Sequence, residues 1–240
     1  MGRVAAKKAV VKGSRKVEAS GERVQPDPSD VSIVEALEGG RREQNKLDKR
    51  LRIRDAAAEL FEELGYGPTT TRMIAERAGV AAGTLFLYAD DKQDLLFLVF
   101  HDRLQAAAER QTRSLSRNAP LIDRLLHMFR GIFAMYGETP ALSAEFIKTL
   151  PGSKGRNADE VNALTFAFIA TLANLVREGK ARGEVDPAVD ALMAARNIFS
   201  LYFGALMSWL MGLAPTLESA LDPILRDSLL LQIRGLAARG

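Results

Sequence analysis

The stretch Thr70–Ala89, TTRMIAERAGVAAGTLFLYA, decides the fold of this chain. Its first half places apolar residues, from Ile74 to Ala78, on one face of a short helix. Gly79 predicts the end of that helix, because glycine adopts the left-handed conformation of a helix C-terminus without a steric penalty. A second short helix follows, with Leu85 facing the same core. The stretch therefore predicts a helix-turn-helix.

The second helix of this pattern, from Ala82 to Tyr88, has the dimensions of a DNA-reading helix. At 1.5 Å per residue it is about 10 Å long, and the major groove of DNA, about 12 Å wide, admits one helix. The small residues Ala82, Gly83 and Thr84 at its leading end allow the backbone to approach base edges closely. The same pattern also fits a plain helical hairpin inside an all-α core, and the residues alone leave this alternative open.

A larger set of residues at fixed spacing surrounds the stretch: Ile53, Ala56, Ala57, Phe61, Gly65, Tyr66, Thr70, Ile74, Ala75, Ala78, Gly79, Val80, Gly83, Thr84, Leu85, Tyr88, Lys92, Leu95 and Leu96. With this set, the segment from Leu51 to Phe100 resembles the DNA-binding domain of the TetR family of bacterial transcriptional regulators. The sequence departs from the family pattern at Phe86, which lacks a tyrosine hydroxyl, and at Ala89, where an aromatic residue is common. Ala81 replaces a serine that commonly caps the second helix.

The resemblance implies which residues contact a double-stranded DNA operator. Thr70, Thr71 and Arg72 are expected on the phosphate backbone, since a helix N-terminus favours anions. Lys92 is expected to reach a phosphate as well, and the alternative is an ion pair with Asp90 or Asp91. The residues expected in the groove or at its edge are Ala82, Gly83, Thr84, Phe86, Leu87 and Tyr88.

Charge is distributed unevenly along the chain, although the formal net charge is only +3. Residues 1–50 have a net charge of +4, whereas residues 51–92 have a net charge of −2. We interpret residues 1–46 as a disordered basic N-terminal tail, with a short helix at Ser32–Glu38 as an option. The tail fits a basic arm on DNA or an extension without a function. An organelle-targeting segment is disfavoured by the bacterial character of the motif.

Helical periodicity dominates the rest of the chain, and no segment has a convincing strand pattern. We predict an all-α fold of three parts: the tail, a helix-turn-helix DNA-binding domain over 47–91 with its motif at 70–89, and a helical-bundle regulatory and dimerisation domain over 92–240. A long helix from Lys92 to about Arg113 is predicted to connect the last two parts.

Composition excludes several other classes of protein. The chain has no cysteine, which rules out disulfides and thiolate metal sites and fits a reducing cytoplasm. No apolar run approaches the roughly 18 residues that a membrane span requires. Both histidines lie on predicted helices without a catalytic motif, and no nucleotide loop is present. We expect no enzyme activity, metal, cofactor or membrane association.

The resemblance also implies an apolar cavity for a small-molecule effector in the helical body. The expected lining residues are Phe129, Phe133, Tyr136, Phe146, Phe166, Phe199, Tyr202 and Phe203. The alternative is that these aromatic side chains simply fill the core. Glu145, Lys148 and Arg196 are candidate polar anchors in a mostly apolar site, and each of them also suits an ion pair or solvent.

The last two predicted helices are apolar on more than one face, so each must bury more than one face. In the family, these helices form a four-helix interface between two copies of the chain. The residues expected at this interface are Leu206, Trp209, Leu210, Leu225, Leu229 and Ile233. A homodimer would also place two recognition helices about 34–36 Å apart, in successive major grooves.

These features predict a cytoplasmic, homodimeric, ligand-responsive regulator of transcription, most commonly a repressor in this family. A ligand that prefers the non-binding spacing of the two DNA-binding domains would release DNA. The alternative function is a ligand-sequestering or structural helical protein without operator binding. The stretch 70–89 argues against that alternative, because such a protein does not need small residues at the start of an exposed helix.

Overall fold

A computed structural model describes the backbone of residues 28–235 and the side chains of residues 40–235. Contacts divide the chain into two compact units, residues 1–44 and residues 45–240. Helix α1 spans Pro28–Leu64. Residues 28–46 of the predicted tail therefore lie within this helix. The prediction for residues 1–27 lies outside the described residues.

The predicted helix-turn-helix is present and follows its local sequence signals. Helix α2 spans Thr71–Arg77, and the Thr70 side chain caps it by accepting from the Met73 N–H. Gly79 takes the left-handed conformation at φ +63° and lets the chain turn. Helix α3 spans Ala82–Leu85, and its cap residue Ala81 offers no side-chain hydrogen bond. We refer to residues 45–91 as the head.

Ordinary helix signals bound the remaining segments, which we call the body. Helix α4 begins after Asp91, which caps it by accepting from the Asp94 N–H. The body helices are α4 Lys92–Ser114, α5 Leu121–Glu138, α6 Pro140–Thr149, α7 Arg156–Ala181, α8 Ala191–Leu210, α9 Leu217–Ser219 and α10 Arg226–Arg234. No strand occurs between residues 28 and 235, which confirms the all-α fold class.

The predicted last helix is divided. Pro223 lacks an N–H donor, and Asp222 beside it has a non-helical backbone at φ −137° and ψ 113°. The π-helical segment Ala220–Leu225 therefore separates α9 from α10.

Helix α7 is apolar enough in length and composition to cross a membrane. In the fold it packs on α4, α5 and α8, and 28% of its apolar stretch is buried inside the protein. One of its ends reaches the head, and its middle faces the interior of the body.

Candidate functional site

The leading end of α3 forms an open surface on the head. Ala82 and Gly83 are exposed and Thr84 is half-buried. Phe86 is 48% exposed and Leu87 is 66% exposed. A hydrogen bond from the Leu87 N–H to the Thr84 carbonyl forms a further turn of chain after α3 ends at Leu85. The leading residues of α3, together with Phe86 and Leu87, therefore face solvent, whereas Leu85, Tyr88 and Ala89 are buried.

The residues expected on the phosphate backbone lie beside α3 at the start of α2. Thr70 is exposed and Thr71 is half-buried. The Arg72 side chain is 86% exposed and its Nε lies 3.1 Å from Glu76 Oε1. An exposed ion pair of this kind is worth little, so Arg72 can exchange Glu76 for a phosphate.

Two of the expected DNA contacts have other roles in the structure. Tyr88 is only 8% exposed, because its ring packs into the core of the head. Most of the Tyr88 side chain is therefore unavailable for contact with a DNA groove. The Lys92 ammonium donates to the carbonyls of Tyr66 at 2.9 Å and Gly67 at 3.0 Å. It also lies 4.5 Å from the Tyr66 ring centroid, so it ties α4 to the loop before α2.

A buried polar contact joins the end of the recognition helix to the start of α7. The Asp94 carboxylate, 1% exposed, accepts from the Asn157 N–H at 2.9 Å and from the Ala158 N–H at 3.3 Å. The Asn157 amide donates to the second Asp94 oxygen at 2.9 Å and to the Tyr88 carbonyl at 2.9 Å. A carboxylate at a helix N-terminus is favourable because the helix dipole is positive there.

The neighbours of Asn157 strengthen this contact. Arg156 donates to the Leu87 carbonyl, and Arg50 of α1 donates to Asn157 Oδ1 at 3.2 Å and to Glu160 at 2.5 Å. We call Asp94, Arg156 and Asn157 the clasp. Gly155 is the N-cap residue of α7. Asn157 lies in the first turn, and its side chain contacts the head.

The body contains a cavity of about 240 Å³ between α4, α7 and α8. Its wall is apolar except for two buried tyrosines and two polar residues of α7, Asn162 and Thr165, which are exposed and half-buried. The lining residues are Leu104, Ala108, Ile132, Tyr136, Phe146, Leu150, Val161, Asn162, Leu164, Thr165, Phe168, Phe199, Tyr202, Phe203 and Leu206. Five of the eight residues expected at a cavity are among them: Tyr136, Phe146, Phe199, Tyr202 and Phe203.

Three expected cavity residues lie elsewhere. Phe129 and Phe133 are buried and pack on the Tyr202 ring, at centroid distances of 5.0 and 5.9 Å, so they support the wall from behind. Phe166 is 71% exposed, because it points away from the bundle. The candidate anchors also lie outside the lining. Lys148 pairs with Glu145 at 3.2 Å, and Arg196 is exposed.

Several residues expected at a dimer interface belong to the core of the protomer. Leu206 of α8, Leu225 of the π-helical segment and Leu229 of α10 are fully buried, because each of them faces the protomer's own bundle. Trp209 and Leu210 are half-buried, and Ile233 is 37% exposed. The exposed residues of α8 are Leu192, Met193, Arg196, Asn197, Ser200 and Gly204.

Comparisons with known proteins agree with this architecture. Residues 53–99 match the family model of bacterial regulatory proteins, tetR family. The chain is 26% identical over 169 residues to the fatty acid metabolism regulator protein of Bacillus subtilis, covering 70% of this chain and 87% of that protein. It is 26% identical over 166 residues to the transcriptional repressor KstR of Rhodococcus jostii, and the match covers 68% of this chain and 73% of that protein.

A solved structure extends the similarity to the helical body. Thermus thermophilus FadR, a TetR-family transcriptional repressor in complex with lauroyl-CoA, matches with a TM-score of 0.65 and 25% identity. The match covers 80% of this chain and 96% of that chain. An exposed recognition helix, an all-helical body with an apolar cavity, and these relatives lead to one conclusion. Residues 53–99 therefore form a DNA-binding domain of the tetR family of bacterial regulatory proteins, and the chain is a DNA-binding transcriptional regulator.

Proposed function

We propose that this regulator is a homodimeric repressor that leaves its operator when an acyl-CoA thioester inserts its acyl chain into the cavity. The observation that carries the proposal is the position of α7, which lines the cavity with Val161, Leu164 and Phe168 and holds the recognition helix through the clasp. The solved relative from Thermus thermophilus binds lauroyl-CoA, and the Bacillus subtilis relative is named for fatty acid metabolism.

The wall chemistry favours an acyl chain over a polar effector. Burying apolar surface stabilises a complex by about 25 cal/mol per Å², whereas a charged group in this cavity would lack a partner ion. The phosphates of coenzyme A therefore remain outside the cavity. Asn162 is exposed and Thr165 is half-buried, so they mark the solvent edge of the cavity. This edge suits the polar thioester end of the ligand.

Coupling to DNA follows from the shared helix. A ligand that fits best when α7 is displaced changes the position of Arg156 and Asn157, and with them the hold on the Leu87 and Tyr88 carbonyls. The ligand shifts the equilibrium only by its difference in affinity between the two arrangements. Helix α4, which contributes Asp94 to the clasp and Leu104 to the cavity, moves with it.

Dimerisation is supported by the surface between α8 and α10. The outward face of α8 presents small residues, Asn197, Ser200 and Gly204, which permit another helix to approach closely. A groove beside them is lined by Leu231, 52% exposed, and Gln232. The Gln232 side chain is half-buried at the edge of this groove and donates to the Ala194 carbonyl of α8 at 3.3 Å.

Blocking the cavity tests the ligand part of this proposal. Ala108→Trp places an indole in the cavity, so lauroyl-CoA affinity should fall at least about tenfold, since overfilled sites cost 1–3 kcal/mol. Ala106→Trp, on the exposed side of the same helix, is the matched control and should respond like the wild type. The measurement is release of labelled operator DNA, selected from genomic fragments, during titration with lauroyl-CoA. If the wild type neither binds nor responds to acyl-CoA, the proposed ligand class is wrong.

Arg72 provides a test of the DNA-binding surface. Arg72→Ala should weaken binding to all DNA sequences equally. The slope of the logarithm of the binding constant against the logarithm of the salt concentration should decrease in magnitude by about one unit, because one phosphate contact is lost. Glu76→Ala removes the partner carboxylate and should leave binding unchanged or slightly stronger. Both are measured by anisotropy over a range of salt concentrations. A change of base preference in Arg72→Ala would contradict the phosphate role.

A further inference from the structure

Two tyrosine hydroxyls interrupt the otherwise apolar interior of the cavity. Tyr136 of α5 and Tyr202 of α8 both line it and are 2% and 5% exposed. Their oxygens are 3.4 Å apart. The other polar lining residues, Asn162 and Thr165, lie at the exposed and half-buried edge, so the hydroxyl pair marks the deep end.

The hydrogen bonds of this pair are incomplete. Each hydroxyl carries one O–H donor, and within the described part of the chain each oxygen has only the other as a partner. Burial raises the pKa of Tyr136 to about 12 and raises the pKa of Tyr202, so both groups stay protonated near neutral pH. One of the two O–H groups therefore has no protein acceptor within the described residues, and a buried donor is more stable when an acceptor is supplied.

Packing does not require these hydroxyls. The Tyr202 ring stacks on Phe129 at 5.0 Å, and the Tyr136 ring lies 6.2 Å from Phe100. Phenylalanine would provide the same ring contacts without an unpaired donor. A bound molecule that carries an acceptor oxygen would satisfy the donor.

We propose that the Tyr136–Tyr202 pair selects an acyl chain that carries an oxygen, as a hydroxyl or ketone, at the position that reaches the deep end of the cavity. The inference rests on the proposed acyl-CoA ligand. The thioester carbonyl cannot supply this oxygen, because the charged coenzyme A holds it at the edge near Asn162 and Thr165. The acceptor must therefore be on the chain itself.

The experiment compares stearoyl-CoA with a series of hydroxystearoyl-CoA isomers that differ in the position of the hydroxyl. Affinity for the full-length protein is measured by calorimetry, and release of operator DNA is measured in parallel. At least one isomer should bind about three- to tenfold more tightly than stearoyl-CoA, as expected for one added hydrogen bond. Equal or weaker binding by every isomer would overturn the inference while leaving the acyl-CoA proposal intact.

Phenylalanine variants assign the preference to the pair. The double variant Tyr136→Phe, Tyr202→Phe should lose the preference for the hydroxylated isomer and still bind stearoyl-CoA at least as well as the wild type. A thermal melt checks that the variant is folded. A preference retained in the double variant would also overturn the inference. If the wild type binds no acyl-CoA of either kind, the proposed function fails first, and this inference fails with it.

Discussion

Gly155→Ala is expected to lower both the melting temperature and the operator affinity strongly. Gly155 has φ +126° and ψ 165°, a region that is open essentially only to glycine and that costs other residues about 1–3 kcal/mol. A Cβ at this position would also lie 2.7 Å from Asp94 Oδ1, so the carboxylate of the clasp must move. Because about 1 kcal/mol shifts the melting temperature by 2–4 °C in a protein of this size, we expect a decrease of roughly 6 °C or more.

The loss of operator affinity follows from the clasp. Asp94 orders the first turn of α7, and that turn holds the Leu87 and Tyr88 carbonyls at the end of the recognition helix. With the clasp open, the head occupies a wider range of orientations, and operator affinity should fall by at least about tenfold, or 1.4 kcal/mol. Differential scanning fluorimetry and operator anisotropy provide the two measurements.

Gly152→Ala is the matched control in the same loop. Gly152 also has a positive φ, +74°, but a Cβ there has nothing within 4 Å. Its cost is the left-handed conformation alone, about 1–2 kcal/mol, and operator affinity should stay near that of the wild type. If folded Gly155→Ala protein binds operator with wild-type affinity, the clasp stabilises the fold but does not orient the head.

Gly204→Arg is expected to separate the proposed homodimer and weaken operator binding by at least about a hundredfold, because two linked half-site contacts gain 10²–10⁴ in avidity. Gly204 lies on the outward face of α8, and a Cβ there meets nothing within 4 Å in the protomer. In a close helix-to-helix interface, by contrast, an arginine has no room. Replacing glycine inside a helix also stabilises that helix by about 0.8–1 kcal/mol, so the protomer should remain folded.

Gly137→Arg is the matched control, since Gly137 is exposed on α5 and its Cβ position is equally open. Analytical ultracentrifugation should give monomers for Gly204→Arg and dimers for Gly137→Arg and the wild type. A Gly204→Arg protein that remains a dimer would place the interface on another surface, such as the exposed side of α7.

The sequence by itself determined the head and its family. The residues that predict the head act on chain segments close to them in the sequence. Thr70 caps α2, Gly79 allows the left-handed turn, and Leu85 faces the core because of helical spacing. Such local signals are readable without knowing the rest of the fold, because each depends on one residue's backbone preference or on the helical period. The same holds for the all-α class.

The tertiary structure alone decided which apolar residues line the cavity, which fill the core and which face outward. Burial of apolar surface is non-directional, so Phe133, Phe166 and Phe199 look alike in the sequence, although they are respectively core, surface and cavity wall. The clasp was equally hidden. Asp94 and Asn157 are 63 positions apart, and only the packing of α4 on α7 brings the carboxylate to that helix N-terminus.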